Sequence, residues 1–495
     1  MNKLQAIVQP KLLSDLMSGI GAYAKDVTIQ GICDDTRLLQ AGDAFLCLPR
    51  VNDVPARIVE AKAKGAVAII IVGQYENLTD IACACLQHME AAGALLRRWF
   101  ETEHTTLKVF GITGTDGKTS STWMLREMLA KQLGSAWSCG TLGFVRDLDH
   151  ITDLGNTTPS LLTLHTIVAM AHQQNIGALV VEVSSHGIAQ QRIAGLSFTA
   201  AIWTTLGQDH LEDHGGLAAY VEAKASFARL VLAAGGKVIA NADYANIREA
   251  LAEGAAQALW YAHNKSGVDA DLLWSREDGA LLLKKHKATA TMAHVPLADF
   301  HTENLAALML LMTTVFDLPL ASLAAKLDGV MTTPLGRLEP VDANQRIFID
   351  YAHTAEGLQR SLQSARELCV GRLLLVFGCG GDRDKAKRPA MGAVAAQLAD
   401  EAWLTSDNPR SETQTQIAAD VLQGIPAAFL PYVHVCEDRK LSIFQAVSAA
   451  SALDMVVIAG KGHESYMEIQ GAKLPWSDRA TALAASLAAG EKQCA

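Results

Sequence analysis

This 495-residue sequence lacks a paired set of cysteines, a membrane-length apolar run and any surplus of positive charge. Its nine cysteines are an odd number. They scatter from Cys33 to Cys494, none stands in a C-x-x-C pair, and Cys83 and Cys85 are too close for zinc-ligand spacing. A disulfide scaffold and a zinc ribbon are thereby excluded, and reduced, mostly buried thiols are expected, as in the cytosol. The longest apolar runs, such as residues 66–73, fall far short of the roughly 20 residues that a bilayer demands. The opening MNKLQAIVQPKLLSDL has no long apolar core of a secretion signal. A cytoplasmic protein that does not engage membranes is the expectation. Basic residues number 42 against 52 acidic ones, a formal charge of −10, so no bulk attraction draws the chain to nucleic acid or anionic lipid. Small anionic substrates remain compatible, because a cleft can be locally positive within a negative protein.

What is present is ordinary globular material: 50% hydrophobic and 19% charged residues, enough for about three domains of roughly 150 residues each. Strand-like and helix-like patterns alternate from residues 27–32 and 43–48 through a helix at 55–64 to a buried strand at 67–72. A helix at 89–100 leads into a strand at 107–112. The same alternation continues with a helix at 123–133, strands at 178–183 and 201–205, a helix at 220–232 and a strand at 237–241. Such repetition predicts α/β architecture with mostly parallel sheets covered by helices on both faces. Pro and Gly punctuate Met331-Thr-Thr-Pro-Leu-Gly-Arg-Leu-Glu-Pro-Val341, a natural boundary. Beyond it strands are predicted at 346–350, 372–377, 402–406 and 455–458, with a helix at 358–368. Three domains are expected: residues 1–87, a central P-loop-type domain at 88–335, and a Rossmann-like doubly wound domain at 336–495.

The sharpest motif is Gly111-Ile-Thr-Gly-Thr-Asp-Gly-Lys-Thr119, directly after an apolar strand and opening an amphipathic helix. Glycines let backbone N–H groups close around phosphate oxygens, and a helix N-terminus adds partial positive charge. Lys118 supplies a mobile cation and Thr119 a hydroxyl suited to Mg²⁺, so ATP with Mg²⁺ is the expected pair. The strict G-x-x-x-x-G-K-[ST] spacing is not met, since Ile112 stands five before Gly117. A plain Gly-rich turn is the bland alternative.

The motif resembles that of the Mur ligase family, three-domain enzymes that join a carboxylate to an amine at the expense of ATP. Further likenesses follow in family order from about residue 106 onward: Asn156-Thr-Thr-Pro159, Glu182-Val-Ser-Ser-His-Gly187 with Gln190 and Arg192, Asp209-His-Leu211 and Asp350-Tyr-Ala-His-Thr354. Later come Gly378-Cys-Gly-Gly-Asp-Arg-Asp-Lys385, Asp407-Asn-Pro-Arg410 and Gly460-Lys-Gly-His-Glu464. The resemblance implies an ADP-forming ligase of peptidoglycan biosynthesis. It would add meso-diaminopimelate to UDP-N-acetylmuramoyl-L-alanyl-D-glutamate through an acyl phosphate, with small molecules as its partners; a monomer is the default expectation.

It also implies roles by position. Gly114, Thr115, Asp116, Gly117, Lys118, Thr119 and Ser120 would hold the triphosphate. Asn304 and Asp350 would take adenine and ribose, and Arg337 would reach the phosphates. Thr119, Glu182, His210 and Lys224, the last as a carbamate, would surround the metal. Thr36 would face the UDP end, and Thr157, Thr158, Ser184, Gln190 and Arg192 the peptidyl part. Arg383, Asp407, Asn408, Arg410, Gly460 and Glu464 would form the amino-acid pocket, with Arg410 on the distal carboxylate and Glu464 on the distal ammonium. Read singly, each has a duller meaning: Lys224 a helix lysine, Asp350 a cap or turn residue, Thr157-Thr158-Pro159 a polar turn.

The sequence also departs from the family. Pro49-Arg-Val-Asn-Asp-Val-Pro55 stands where a glycine and then an Asp-Gly pair are usual, and Asp116, Thr205 and Gln208 replace asparagine, asparagine and arginine. The segment Leu297-Ala-Asp-Phe-His-Thr-Glu-Asn304 is altered from G-x-F-N-x-x-N. Two other readings therefore stand beside the first: a ligase moved to another carboxylate, and a non-catalytic nucleotide-binding protein.

Overall fold

Parallel strands cannot be joined by tight turns, and helices such as Val54–Ala63 and Leu217–Ala233 serve as the crossovers here. The structure is a computed structural model that describes residues 4–49, 53–73, 81–147, 150–207, 216–295, 298–341 and 346–493. The chain forms two compact units. One comprises residues 1–262, 268–271 and 310–317, the other residues 263–267, 272–309 and 318–495.

The first unit holds a two-stranded antiparallel ladder, Lys11–Leu12 with Thr28–Ile29, and strands of two larger sheets. The smaller runs in the order Gly21–Tyr23, Ala82–Leu86, Ala68–Val72, Asp43–Cys47, Gly31–Cys33, parallel except for the first pairing. Its strand Ala-Ile-Ile-Ile-Val is buried throughout. Ala68 and Ile70 face a core with Leu13, Leu95 and Trp99, while Ile69 and Ile71 face one with Ile58 and Ala61. Each isoleucine so buried contributes about 1.5–3 kcal/mol. Asp53, at φ +53°, caps the helix Val54–Ala63 by accepting from the Ala56 N–H, with Pro55 in the first turn.

The larger sheet orders Ile151–Thr152, Gly143–Val145, Ala136–Gly140, Ala178–Glu182, Lys108–Thr113, Ala200–Trp203, Lys237–Asn241 and Leu259–His263. Its last six strands are parallel, and the first two pair antiparallel at the edge. The strands expected at 107–112, 178–183, 201–205 and 237–241 are present within one or two residues, whereas the one expected at 27–32 is two short strands, Thr28–Ile29 and Gly31–Cys33, in different sheets. The helix expected at 123–133 begins earlier, at Lys118, because left-handed Gly117 turns the chain directly into it.

In the second unit a six-stranded sheet runs Glu339–Pro340, Ile347–Asp350, Met455–Ala459, Leu373–Phe377, Glu401–Leu404, Val433–Val435, parallel but for the first. Leu373, Leu375 and Phe377 face one core, Leu374 and Val376 the other. The unit also contains an antiparallel meander, Leu272–Glu277, Ala280–Lys285 and Ala288–Met292. That meander was not anticipated from sequence, although Asp278-Gly279, both at positive φ, is a strong hairpin signal. Among the described residues no helix is long and apolar enough to cross a membrane. None of the eight described cysteines is in a disulfide, and Cys33, Cys47, Cys139 and Cys379 are buried; Cys494 lies outside the described residues.

One buried ion pair braces the second unit. Arg439 and Asp478 are both fully buried, joined at 2.7 Å from Nε and 2.6 Å from Nη2. The same guanidinium donates to the carbonyls of Ser406 and Ala459, just past one strand and at the end of another. Replacing one partner alone leaves the other charged and unmatched. Asp478→Asn is expected to lose about 3–5 kcal/mol of stability, measured as the shift in urea unfolding of the purified chain.

Candidate active site

Glu182 ends the strand Ala178–Glu182 and is buried. Its Oε2 accepts from the Thr119 hydroxyl at 3.2 Å and the Thr141 hydroxyl at 3.0 Å, and its Oε1 accepts from the Thr141 N–H at 3.1 Å. Thr119 lies in the first turn of the helix after the phosphate loop, so the carboxylate stands beside that loop. Thr141, not singled out from sequence, follows the strand Ala136–Gly140. The signal for it was available: a hydroxyl residue just past a strand end is where such sheets place ligand contacts.

The loop itself is tightly supported. Gly114 has φ +150°, and a Cβ there would collide with the Thr204 hydroxyl. The Asp116 N–H donates to Thr205 Oγ1 at 2.8 Å, so the threonine in the usual asparagine position still braces the loop. Thr115 Oγ1 accepts from the Gly207 N–H and meets the Tyr220 hydroxyl at 3.0 Å. Lys118 folds back, donating to the carbonyls of Gly114 at 3.0 Å and Thr115 at 2.7 Å. Ser120 is buried in the first helical turn, which has no side-chain cap at Gly117. Lys224, buried on the helix Leu217–Ala233, donates to the Gly114 carbonyl at 2.8 Å, with its Nζ 4.5 Å from the Tyr220 ring centroid. His210, with Gln208, lies outside the described residues.

The expected acceptor residues connect to the same carboxylate. Thr157 Oγ1 is 3.1 Å from Thr141 Oγ1. Thr158 donates to the Glu182 carbonyl at 2.8 Å, accepts from the Ser184 N–H and lies 2.9 Å from Ser184 Oγ. Arg192 donates to the Thr158 carbonyl and to Gln190 Oε1. Phosphate loop, Glu182 and the threonine–serine cluster thus form one hydrogen-bonded chain. Thr36 does not join it in any described contact. It is buried, donates to Glu60 at 2.8 Å and accepts from Arg57 at 3.2 Å, and Lys64 holds its carbonyl.

In the second unit, Asp350 ends its strand and is buried. Its carboxylate accepts from the N–H groups of Leu338 and Ala352 and from the Ser361 hydroxyl, at 2.7–2.8 Å. Burial raises its pKa against the opposing pull of Arg337 and these bonds. Arg337 lies over the Tyr351 ring, 4.7 Å from its centroid. Asn304 and His301 are both buried in the helix Asp299–Val315. Asn304 Nδ2 and both ring nitrogens of His301 have no hydrogen-bond partner among the described residues. Buried polar atoms without partners are costly, and an unfilled polar ligand site is a recognised reason for them.

The remaining residues gather at neighbouring strand ends. Asp407 and Asn408 follow the strand Glu401–Leu404, and Gly460 follows Met455–Ala459. Gly460 has φ +113°, and a Cβ would strike the Asp407 carboxylate. Burial raises the pKa of Asp407, with Lys461 and Arg439 opposing. Asn408 bonds Glu464 through Nδ2 at 2.9 Å and Lys461 through Oδ1 at 3.0 Å, while buried Lys461 also pairs with Glu464 at 2.9 Å. Arg410 is half-buried and Arg383 is exposed on the loop after Leu373–Phe377. The structure therefore brings Asp407, Asn408, Gly460 and Glu464 together and adds Lys461, which sequence reasoning had not singled out.

Parallel α/β sheets with a phosphate loop at one strand end and a carboxylate at the next define the class, a nucleotide-binding protein of the phosphate-loop type. The chain belongs to the Mur ligase family. Residues 112–312 match the Mur ligase middle domain, and residues 336–462 match the "Mur ligase, glutamate ligase domain". Among curated relatives, the UDP-N-acetylmuramoyl-L-alanyl-D-glutamate--2,6-diaminopimelate ligase of Gloeobacter violaceus is 35% identical over 465 residues, 92% of this chain and 93% of its own. The enzyme of the same name from Synechococcus elongatus is 36% identical over 487 residues, 95% and 96% of the two chains. A solved structure carrying that name matches with TM-score 0.67 and 28% identity over 98% of this chain and 99% of its own. A MurF ligase of Thermotoga maritima solved with ADP shares the fold at TM-score 0.58 and 15% identity, over 93% and 97% of the chains.

His301 gives a pH test. Burial first, then Arg337 and Arg276, lower its pKa to about 3. A histidine neutral in the folded chain and titrating near 6.5 when unfolded contributes stability above pH 6.5 that is lost as pH falls toward 3. His301→Asn should therefore flatten the acid limb of the urea midpoint. Relative to its pH 7 difference from wild type, the variant should gain about 3 kcal/mol by pH 4.

Proposed function

We propose that this chain is an ATP-dependent ligase that adds meso-diaminopimelate to UDP-N-acetylmuramoyl-L-alanyl-D-glutamate in peptidoglycan synthesis. The observation that carries the reading is the Thr119–Glu182–Thr141–Thr157 chain of hydrogen bonds, which sets the phosphate loop beside the acceptor residues. The names of relatives at 35% and 36% identity support the substrates.

A carboxylate is a poor acyl donor because its oxygen leaves badly, and transfer of the γ-phosphoryl group of ATP improves the leaving group. The neutral amine then attacks the acyl phosphate, the tetrahedral state collapses as the C–O bond breaks, and phosphate departs with the bond electrons and, in net balance, the proton that the nitrogen loses. Lys118, released from its own loop carbonyls, would balance charge on the terminal phosphates, and the uncapped amides after Gly117 would hold them. The adjoining oxygens of Thr119 and Glu182 are of the kind Mg²⁺ takes, a hard cation that binds oxygen and keeps waters; Lys224 as a carbamate and His210 are the further ligands that the family likeness implies. Bound there, Mg²⁺ would neutralise phosphate charge. Arg192 would hold an acceptor carboxylate by exchanging its bonds to Gln190 and Thr158 for a charged fork. Asn304 and His301 would give their unsatisfied polar atoms to the adenine, and Arg337 would reach the phosphates. Arg383, Asp407, Asn408, Arg410, Gly460 and Glu464 would hold the diamino acid, with Arg410 on its distal carboxylate.

One observation favours a second acceptor. The Thr36 hydroxyl proton is already given to Glu60 and one of its two lone pairs accepts from Arg57, which leaves it no donor for the oxygens of a UDP group and suits a carboxylate without UDP. Phosphate release from ATP is the assay that separates the two. Release with meso-diaminopimelate and the UDP-linked dipeptide supports the first reading; release only with an acceptor lacking UDP supports the second. Lys118→Ala should reduce turnover at least about a thousandfold, the scale of a lost electrostatic contact to the transition state, and a variant that keeps its rate would remove Lys118 from the mechanism. Arg410→Ala should raise the KM for diaminopimelate roughly 30-fold or more, the worth of a charged hydrogen bond, with the KM for ATP little changed. Equal loss of both would refute the pocket.

A further inference from the structure

The Asp407-Asn-Pro-Arg410 loop is fastened to the strand Tyr466–Ile469 of a short hairpin. The Arg410 N–H donates to the Glu468 carbonyl at 3.0 Å, the Gln470 N–H donates to the Arg410 carbonyl at 2.8 Å, and Arg410 bridges to Ile469. The Glu468 N–H donates in turn to Asn408 Oδ1 at 2.8 Å. Arg410 itself sits at φ +52°, a left-handed conformation uncommon for a residue with a side chain. These backbone bonds fix both ends of a side-chain pair: Arg410 Nε donates to Glu468 Oε2 at 3.1 Å, while Nη1 donates to the Gly381 carbonyl at 2.7 Å.

We propose that Glu468 is a specificity-determining residue, which holds one edge of the Arg410 guanidinium and so weakens the pocket's preference for a diamino acid that ends in a carboxylate. The inference rests on the reading of Arg410 as the partner of that carboxylate. An arginine offers a carboxylate two forked edges, one through Nε and Nη2 and one through Nη1 and Nη2. Glu468 takes the Nε donor of the first, and Gly381 takes a donor from the nitrogen of the second. An incoming distal carboxylate must displace Glu468 or bind through fewer donors. Glu468 also cancels the charge of Arg410, and that charge is what would repel a side chain ending in a bare ammonium. Asn408 ties the backbone of Glu468 and the carboxylate of Glu464 into one unit, so the two acids flank the same pocket. An ordinary half-exposed ion pair contributes little to stability and would leave the choice of substrate unaltered.

The test compares kcat/KM for meso-diaminopimelate and for lysine, by ADP release, in the full chain and in Glu468→Gln. Glutamine keeps an acceptor for Nε but removes the acid's charge, so a substrate carboxylate displaces it more readily and meets an unneutralised guanidinium. The variant should lower the KM for diaminopimelate about tenfold, a charge-assisted bond exchanged for a neutral one, and raise the KM for lysine, with kcat for diaminopimelate within about twofold of wild type. In an Arg410→Ala background the same substitution should leave the ratio of the two substrates unmoved. A folded Glu468→Gln chain whose ratio stays within about twofold of wild type overturns the proposal, as does an equal shift without Arg410. Glu468→Ala repeats the measurement should the glutamine variant unfold. A wild-type enzyme that uses neither amino acid refutes the reading of Arg410 itself, an outcome distinct from an unchanged ratio.

Discussion

A parallel strand can end its ladder only by leaving backbone groups and the next few side chains at one edge of the sheet, and this chain puts its chemistry there. Thr113 and Gly114, Glu182, Thr204, Asp350, Gly378, Ser406 and Gly460 all lie at or just past the carboxyl ends of parallel strands. Because the strands are hydrogen-bonded in register, residues 41, 63 or 91 positions apart in sequence arrive within bonding distance. Glu182 reaches Thr119 and Thr141 because their strands flank its own, and Thr204 reaches the phosphate loop for the same reason. The site depends on that register more than on any one side chain.

Charges within these edges are matched locally. Lys118 and Lys224 donate to carbonyls of the phosphate loop, Lys461 bonds Asn408 and Glu464, and Arg439 spans two strand ends and Asp478. Each bond lowers the cost of keeping a cation out of bulk water. Each also sets what a substrate has to exchange: a phosphate replaces two carbonyls at Lys118, and a distal carboxylate meets an arginine already paired. The contrast with His301 and Asn304 is informative, since those groups are buried and hold unsatisfied atoms. A polar site that offers unspent donors favours ligand binding, whereas one with spent donors selects among ligands.

Much of this was legible without coordinates, for identifiable reasons. The strand–glycine loop–helix pattern at 107–133 announces itself because phosphate binding needs backbone amides free of side chains, and glycine and lysine are conspicuous residues to spend on it. The likeness to Mur ligases came from runs of such residues and matched the family across both later domains. Less was visible where function depends on a pairing instead of a motif. Thr141 and Glu468 stand in unremarkable sequence, Lys461 sits inside a motif whose glycines and glutamate are more conspicuous, and only their partners give all three meaning. The hairpin signal Asp278-Gly279 was there to be read, but the surrounding α/β alternation drew attention away from it.

The sequence by itself determined which segments could bury both faces as strands, where the phosphate loop lies and which side chains carry charge, because these follow from local pattern and residue chemistry. Only the tertiary structure decided that Thr36 bonds Glu60 and Arg57, that Asp350 accepts from three internal donors, and that Arg410 meets Glu468. Those outcomes turn on strand register and loop closure over long separations. A chain's order of residues does not state which distant donor will reach a given acceptor first.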